Sequence, residues 1–256
     1  MCGLLNAQEM KDNLYATLKS SSLHLFYKSE FSKMTVSAQR KSSKLGFVEE
    51  TNTTYRKGKI NPERINYVVK YSEYYILEDR KKSMGRYEFD ENDLIVYYER
   101  TDFNNRNVRD YTFKHKLELV NGIVQKETVS IIEYLTEGSV EVDTSMAVEV
   151  TEYEVVEEGG LWRQNSGLED TYVTYKVEGN ELVQSTNHIG DTKDITEYFY
   201  DGQGKLTGMK HTLTNEKGQQ LQTETRIYYN SDGLFSEVQF YDEQKELLEK
   251  RLFSYK

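Results

Sequence analysis

Short runs of Val, Ile, Thr, Tyr and Phe, separated by Gly, Asn and Asp, dominate the chain from about residue 45 onward. Runs of this kind are typical of consecutive β-strands joined by tight turns. In segment 219–229, apolar or β-branched residues alternate with polar ones, which places the former on one face of a strand. These residues are Leu221, Thr223, Thr225, Ile227 and Tyr229. The pattern predicts an all-β protein, an antiparallel meander of consecutive hairpins in an extended or curled sheet.

The clearest single hairpin is centred on Asn121-Gly122. Alternating apolar and polar residues flank this dipeptide on both sides, over 113–120 and 123–131. A two-residue type I′ turn needs positive φ at both central positions, and Asn followed by Gly meets that need with the least strain. The sequence therefore predicts a tight hairpin at this point.

The last third of the chain carries a repeated turn pattern, Asx-x-x-Gly. The pattern occurs at Asn187, Asp201, Asn215 and Asn230, and Asp242 begins a fifth copy without the glycine. An Asx side chain can accept hydrogen bonds from the turn backbone, and glycine takes the left-handed conformation at little cost. We expect Gly204, Gly218 and Gly233 to have positive φ, within about seven antiparallel strands over 171–255.

A family resemblance lies within residues 194–256. The segment Tyr198-Phe-Tyr-Asp-Gly-Gln-Gly-Lys-Leu has the order Tyr-x-Tyr-Asp-x-x-Gly-x-Leu, and weaker copies begin at Ile227 and Phe240. This order resembles the YD repeat of Rhs-type β-repeat proteins, and similar hairpin codes occur in MORN-like repeat proteins. The resemblance implies a surface or interaction role and no catalytic residues.

The N-terminal residues differ from the rest of the chain. Leu14 and Leu18 lie four residues apart, which predicts a short helix within residues 8–20, or otherwise an irregular segment. Residues 1–8 are too short for a signal peptide but resemble the end of one, because Ala7-Gln8 follows an apolar stretch as in secreted proteins of the Bacteroidota. The resemblance implies a secreted, periplasmic or cell-envelope protein; an ordinary cytoplasmic start is the alternative.

We divide the sequence into a signal-peptide remnant over 1–8, a β-rich region over 9–160 and a β-meander over 161–256. One continuous domain over 9–256 is the alternative. With 256 residues, the chain is long enough to bury a core without disulfide support.

Charge is unevenly distributed along the chain. The formal net charge is -10, yet residues 1–70 hold 12 basic and 6 acidic residues. Ten carboxylates and no basic residue lie between Lys126 and Arg163. Such a stretch repels nucleic acid and attracts a cationic partner.

We predict that a partner-binding surface lies within this acidic stretch, and a solvated strand face kept acidic for solubility is the alternative. Glu152 and Glu154 are out of phase with Glu149 unless a bulge intervenes. The predicted partner-binding residues are Glu149, Glu152, Glu154, Glu157 and Glu158.

The residue types that carry chemistry show no diagnostic spacing. Cys2 is the single cysteine, and the four histidines are far apart with no metal-binding pair. Serine-nucleophile, phosphate-loop and dinucleotide motifs are absent from the sequence. We therefore predict no catalytic residue, no metal site and no cofactor. No run of 18 apolar residues occurs, so no membrane-spanning helix is predicted.

The leading hypothesis is a noncatalytic, extracytoplasmic interaction or scaffold protein that binds a protein or surface partner through its sheet. The chain has 21 Tyr, and tyrosine combines a large apolar ring with a hydrogen-bonding tip. One alternative is a carrier of a hydrophobic ligand in a barrel or half-barrel. Another is a hydrolase whose carboxylates the sequence does not identify. The oligomeric state stays open.

Overall fold

The computed structural model describes residues 25–26, 28–58, 67–74, 80–89, 94–104, 108–137, 140–165, 170–179 and 181–256. The predicted helix within 8–20 and the segment resembling a signal-peptide end lie outside these residues. At the start of the described chain, Leu25, Phe26 and Lys28 have helical backbone, and the Ser29 N–H donates to the Leu25 carbonyl at 3.1 Å. All other regular structure in the described ranges is β-strand.

The described ranges contain 17 strands. In chain order they are β1 (Lys33–Ser42), β2 (Gly46–Gly58), β3 (Tyr67–Tyr74), β4 (Arg80–Phe89), β5 (Ile95–Phe103), β6 (Arg109–Val120), β7 (Ile123–Glu137), β8 (Val140–Glu152), β9 (Glu154–Glu158), β10 (Leu161–Asn165), β11 (Thr171–Glu178), β12 (Glu181–Ile189), β13 (Thr192–Tyr200), β14 (Leu206–Thr214), β15 (Gln220–Tyr229), β16 (Phe235–Tyr241) and β17 (Leu247–Tyr255).

The chain divides into two units. The first, called here the β1–β8 unit, comprises Leu25–Glu118, Lys126–Thr151 and Arg251–Lys256. Each strand from β1 to β5 pairs antiparallel with the next in sequence, so that β1 to β6 form a meander. The chain end also pairs with β1, because the Lys256 N–H donates to the Lys33 carbonyl at 2.9 Å and the Lys33 N–H to that of Lys256 at 2.8 Å. The predicted antiparallel meander is confirmed in this unit.

Apolar side chains and hydrogen-bonded hydroxyls share the interior of the β1–β8 unit. Phe26 and Met34 are almost completely buried, together with Leu94, Ile95, Tyr98 and Leu117. Thr101 and Thr112 lie directly opposite each other on β5 and β6, and their buried hydroxyls are 2.9 Å apart. A buried hydroxyl is tolerated only when it has a partner, so this pair lets threonine occupy core positions.

The second unit, called here the β9–β16 unit, comprises Leu119–Gln125 and Glu152–Lys250 among the described residues. Its strands pair antiparallel with their chain neighbours from β9 through β16. Seven strands, from β11 at Thr171 to β17 at Tyr255, occupy the predicted meander. The buried apolar residues of the unit are Ile123, Val124, Tyr175, Leu182, Tyr198, Leu206, Ile227, Leu234, Phe235 and Val238.

Four loops of this unit share one set of hydrogen bonds. In loop 215–219, Asn215 Oδ1 accepts from the N–H of Lys217 at 3.0 Å and of Gln219 at 2.9 Å. The Gly218 N–H closes the turn on the Asn215 carbonyl at 2.8 Å. The same bonds form in loops 201–205, 230–234 and 242–246. This confirms that the Asx side chain organises each turn.

The backbone angles of the predicted turns agree with the residues found there. Gly204, Gly218 and Gly233 have φ of 76°, 72° and 73°, as expected. Lys245 takes the same place in the fourth loop at φ 60°, although it is not glycine. Asn121 and Gly122 have φ of 49° and 83°, so the predicted type I′ hairpin is also confirmed.

The first copy of the turn pattern was predicted wrongly. Asn187 lies inside β12, directly opposite Asp194 of β13. The chain instead reverses at the two residues after Ile189, since Ile189 pairs with Thr192 and Gly190 has φ 55°. A two-residue hairpin leaves no room for the Asx loop, and the strand register decides between the two turns.

The predicted half-buried character of segment 219–229 is correct only toward one end of β15. Ile227 is buried, whereas Leu221 on the same face is 47% exposed. The buried side chains of β16, Phe235 and Val238, lie beside the Ile227 end. The core of the unit therefore covers part of each strand face, and the alternation of residue types does not reveal how far it extends.

Candidate functional site

The strand β8 is exposed along its whole length and on both faces. Valine favours extended backbone, so the sequence of β8 forms a strand even without a covering core. Alternation gives this strand one apolar row, in which every large side chain is more than half exposed. The apolar members of the row are Val140 (63%), Val142 (58%), Met146 (69%), Val148 (54%) and Val150 (55%), with Thr144 between Val142 and Met146 and Glu152 at the end.

The opposite row of β8 is acidic. Within the described residues, Glu141 is paired with Arg109 at 3.0 Å, whereas neither Asp143 nor Glu149 has an ion-pair partner. In the described part of the chain, Asp143 accepts a hydrogen bond only from the adjacent Thr144 N–H, at 2.7 Å. The row therefore presents two uncompensated negative charges to solvent, on the face opposite the exposed apolar row.

The neighbouring strand β7 supports the acidic row. Ser145 of β8 donates a hydrogen bond to Glu133 of β7 at 3.4 Å, and the Tyr111 hydroxyl donates to the same carboxylate at 2.8 Å. This hydrogen bond, with the negative charge of Glu133, raises the pKa of Tyr111. Arg109, the partner of Glu141, lies over the ring of Tyr134 at 4.6 Å. These contacts fix β7 beside β8, and they leave both the apolar row and the acidic row of β8 exposed.

The five predicted partner-binding residues are divided between the two units. Glu149 belongs to the β1–β8 unit, and Glu152, Glu154, Glu157 and Glu158 belong to the β9–β16 unit. The phase break seen in the sequence falls inside β8, where alternation places Glu152 in the row of Val148 and Val150 and not in that of Glu149; the strand then ends before Tyr153. Glu149 is the one predicted residue that lies in the acidic row of β8.

In the β9–β16 unit, the acidic residues of β9 point to different faces. Glu154 and Glu158 share one face, on which the Asn165 side-chain amide donates to Glu154 at 2.8 Å. Glu157 lies on the other face, opposite Trp162 of β10. The strands β9 and β10 meet at Gly159-Gly160, with φ of 63° and 81°. The predicted carboxylates of this unit thus form no single acidic face.

The first carboxylate of the acidic stretch is not solvated, contrary to the solvated-face alternative. Glu127 is 2% exposed and bonds to His115 Nδ1 at 2.8 Å. The His115 ring is stacked on Tyr98, with centroids 4.0 Å apart and planes 9° apart. A histidine oriented by a carboxylate resembles part of a catalytic constellation. Here the His115 ring is largely buried, and the geometry shows the His115–Glu127 pair as part of the packed interior.

Sequence reasoning missed the exposed apolar row of β8. The alternation of Val with acidic residues over 140–150 was visible, but the same alternation is typical of a half-buried strand. The sequence carries no signal for whether a neighbouring layer covers such a face. The exposed row is therefore a finding of the structure.

Within the described ranges, no three His, Cys, Asp or Glu side chains come close enough to hold a metal ion. No helix among these residues is long and apolar enough to cross a membrane.

Comparisons with known proteins identify no family. No family model and no curated protein matches the chain. Among solved structures, a porin-like protein from Bacteroides uniformis ATCC 8492 aligns at 9% identity and a TM-score of 0.33, covering 89% of this chain and 98% of that one. A candidate exported protein with a YmcC-like fold from Bacteroides fragilis NCTC 9343 aligns at 10% identity and a TM-score of 0.26, covering 89% and 96%.

Proposed function

We propose that this protein is a noncatalytic, extracytoplasmic binding protein that contacts a partner through the exposed strand β8. The observation that carries the proposal is the pair of rows on β8, one apolar and one acidic, both open to solvent. Because the two rows lie on opposite faces of β8, the partner that fits presents apolar side chains to one face and basic side chains to the other. A protein with an extended segment of alternating apolar and basic residues meets both requirements.

The apolar row supplies a reason for association. Burying a Val or Met side chain stabilises a complex by roughly 1.5–3 kcal/mol when the side chain goes from fully exposed to fully buried. The side chains of the row start more than half exposed, so each contributes about half of that range or more on burial. Contiguous exposed apolar surface is typical of interaction sites. The row therefore favours a partner over solvent.

The acidic row supplies selectivity. Asp143 and Glu149 have no ion-pair partner among the described residues, so a basic partner gains their attraction without breaking an existing pair. Opposite charges across an interface raise the association rate and disfavour acidic partners. Exposed charges are screened beyond about 8–10 Å at physiological ionic strength, so the binding should weaken with salt.

The extracytoplasmic location in this proposal depends on the resemblance of residues 1–8 to the end of a signal peptide. N-terminal sequencing of the native protein tests it. A mature N-terminus near Gln8 supports the location, and an intact Met1 in a cytoplasmic fraction contradicts it.

The binding proposal is tested by capture from a native envelope extract at low and high salt. We compare the wild type with Asp143→Asn/Glu149→Gln, which neutralises the acidic row without shortening any side chain. The matched control is Glu216→Gln/Asp232→Asn, which removes two exposed charges from loops of the other unit. We expect the β8 variant to lose basic partners that the control retains. An identical partner set for all three proteins at both salt concentrations contradicts the proposal.

A further inference from the structure

Three side chains form a stack on one face of the β9–β16 unit. The Arg163 guanidinium lies 3.8 Å above the centre of the Tyr172 ring, and the Tyr172 ring is stacked on His188 at 4.2 Å with planes 14° apart. A cation over an aromatic face is attracted by the ring's negative charge distribution. The residues come from β10, β11 and β12, so the sheet brings them together from three strands.

The strand register explains why the stack forms. Asn165, Tyr172, His188 and Lys193 are direct cross-strand neighbours on β10, β11, β12 and β13. Arg163 precedes Asn165 by two residues and so lies on the same face. The row therefore places a guanidinium and an ammonium on one face of the sheet, with two aromatic rings between their strands.

The guanidinium of Arg163 is oriented by one hydrogen bond. Its Nε–H donates to Asn165 Oδ1 at 2.8 Å, and the Asn165 amide in turn donates to Glu154 at 2.8 Å. Glu154 therefore acts on the guanidinium through Asn165 and forms no ion pair with it among the described residues. The fork of Nη groups, which carries four of the five N–H donors of an arginine, is left without a protein partner in the same ranges.

Other arginines over aromatic rings differ in this respect. Arg100, Arg109 and Arg226 lie 4.9, 4.6 and 4.6 Å from the centres of Phe113, Tyr134 and Tyr241. Each of these three also pairs with a carboxylate, at 2.9, 3.0 and 2.6 Å. Within the described part of the chain, Arg163 has the stacking contact but lacks the carboxylate. Among these residues, the anion that completes the arrangement elsewhere is missing beside Arg163.

The charge around the stack is consistent with an unfilled anion position. The pKa of His188 is lowered by burial and by the positive charges of Lys193 and Arg163. Its Nε2 lies 3.4 Å from the Thr174 hydroxyl. The charges of Lys193 and Arg163, which act on the His188 ring, are both positive, so an anion bound beside the stack would offset them.

We propose that the Arg163 guanidinium binds an oxyanion group of a ligand beside the Tyr172–His188 stack. Carboxylate, sulfate and phosphate share the required chemistry, since each presents two oxygens to the planar guanidinium fork. Asn165 is a positioning residue, because it holds the plane of the guanidinium rather than contacting the ligand. This inference is independent of the function proposed for β8.

The test is an NMR titration of the four histidines against pH, with sodium sulfate or sodium acetate added and sodium chloride as the control at equal ionic strength. An anion bound beside Arg163 should raise the pKa of His188 more than chloride does, in a saturable way. His211, whose partner is Asp194, is the internal reference and should respond equally to all three salts. Comparing sulfate with acetate distinguishes a tetrahedral from a planar oxyanion.

Three variants make the test specific. Arg163→Gln should weaken the sulfate or acetate response of His188 at least tenfold, and Arg226→Gln is the control because Arg226 already has a carboxylate partner. Lys193→Gln should weaken the response by a smaller factor. The proposal is overturned if chloride at equal ionic strength moves His188 as far as both oxyanions do. It is also overturned if the response persists in the Arg163→Gln variant.

Discussion

The loop at 215–219 allows a sharp test of the turn mechanism. Gly218 has φ +72°, and a Cβ added at this position would meet no heavy atom within 4 Å. The substitution Gly218→Val therefore introduces left-handed backbone strain without a steric clash against the rest of the protein. Gly204 is less suitable, because a Cβ there would lie 2.7 Å from the Glu181 carboxylate.

The magnitude follows from two opposing effects. A residue with a Cβ in the left-handed region costs about 1–2 kcal/mol, and β-branching places valine at the upper end. Replacing glycine also reduces the entropy of the unfolded chain, which returns about 0.4–1 kcal/mol. We expect a net loss of about 1 kcal/mol in the free energy of unfolding. For a chain of this size, that loss lowers Tm by roughly 2–4 °C.

The assay is thermal and urea unfolding followed by circular dichroism. The matched control is Gly202→Ala, because Gly202 lies in the equivalent loop 201–205, does not have positive φ and also has open space around its Cβ position. This control should melt at or slightly above the wild-type temperature. If Gly218→Val melts like the wild type, or if both variants lose the same stability, the explanation by left-handed strain is refuted.

The remaining predictions concern single side chains. Lys245→Gly should raise the free energy of unfolding by about 0.5–1 kcal/mol, because Lys245 has φ 60° and the relieved strain exceeds the added entropy of the unfolded chain; urea unfolding measures it. His115→Ala should cost about 3 kcal/mol in the same assay, because it removes a hydrogen bond to the buried Glu127 carboxylate, worth roughly 1.5–3 kcal/mol, and the stack on Tyr98; a loss below about 1 kcal/mol would contradict this. The pKa of His188 is lowered, so wild type should lose stability relative to His188→Asn as pH falls below about 6.5, since the unfolded chain then binds more protons. The pKa of His211 is raised by its hydrogen bond to Asp194. Wild type should therefore lose stability relative to His211→Asn as the pH rises from below about 6.5 through the raised pKa of His211. A slope of the opposite sign for His188 or for His211 would refute the assignment for that histidine.

Local turn chemistry is the part of the fold that could be predicted from the sequence. Asn121-Gly122 and the loops beginning at Asp201, Asn215 and Asn230 depend on residues within five positions of each other. The same code failed at Asn187, because the pairing of β12 with β13 is a longer-range property that overrides a local turn preference.

The candidate sites could be predicted only in part. The acidic character of 141–149 is visible in the sequence, but the exposure of Val142 and Val148 depends on which layers cover β8. The stack of Arg163, Tyr172 and His188 depends on the register of three strands, which no pattern within one strand specifies. Residues that meet across a sheet are therefore the ones that sequence reasoning missed.

The claim that β8 is a binding surface is tested most directly by titration with a defined peptide. The probe is an eight-residue peptide of alternating Lys and Val, which presents one basic and one apolar face as a strand. The control peptide alternates Glu and Val. Binding is measured by calorimetry to wild type, to Asp143→Asn/Glu149→Gln and to Val142→Thr/Val148→Thr.

We predict that the basic peptide binds wild type, that its affinity falls with salt, and that each double variant weakens it by roughly tenfold or more. A tenfold change in affinity corresponds to about 1.4 kcal/mol. This is smaller than the energy that full burial of two half-exposed valine side chains contributes. The acidic peptide should not bind. Equal binding of the two peptides, or equal binding of the basic peptide to wild type and both variants, would contradict the account.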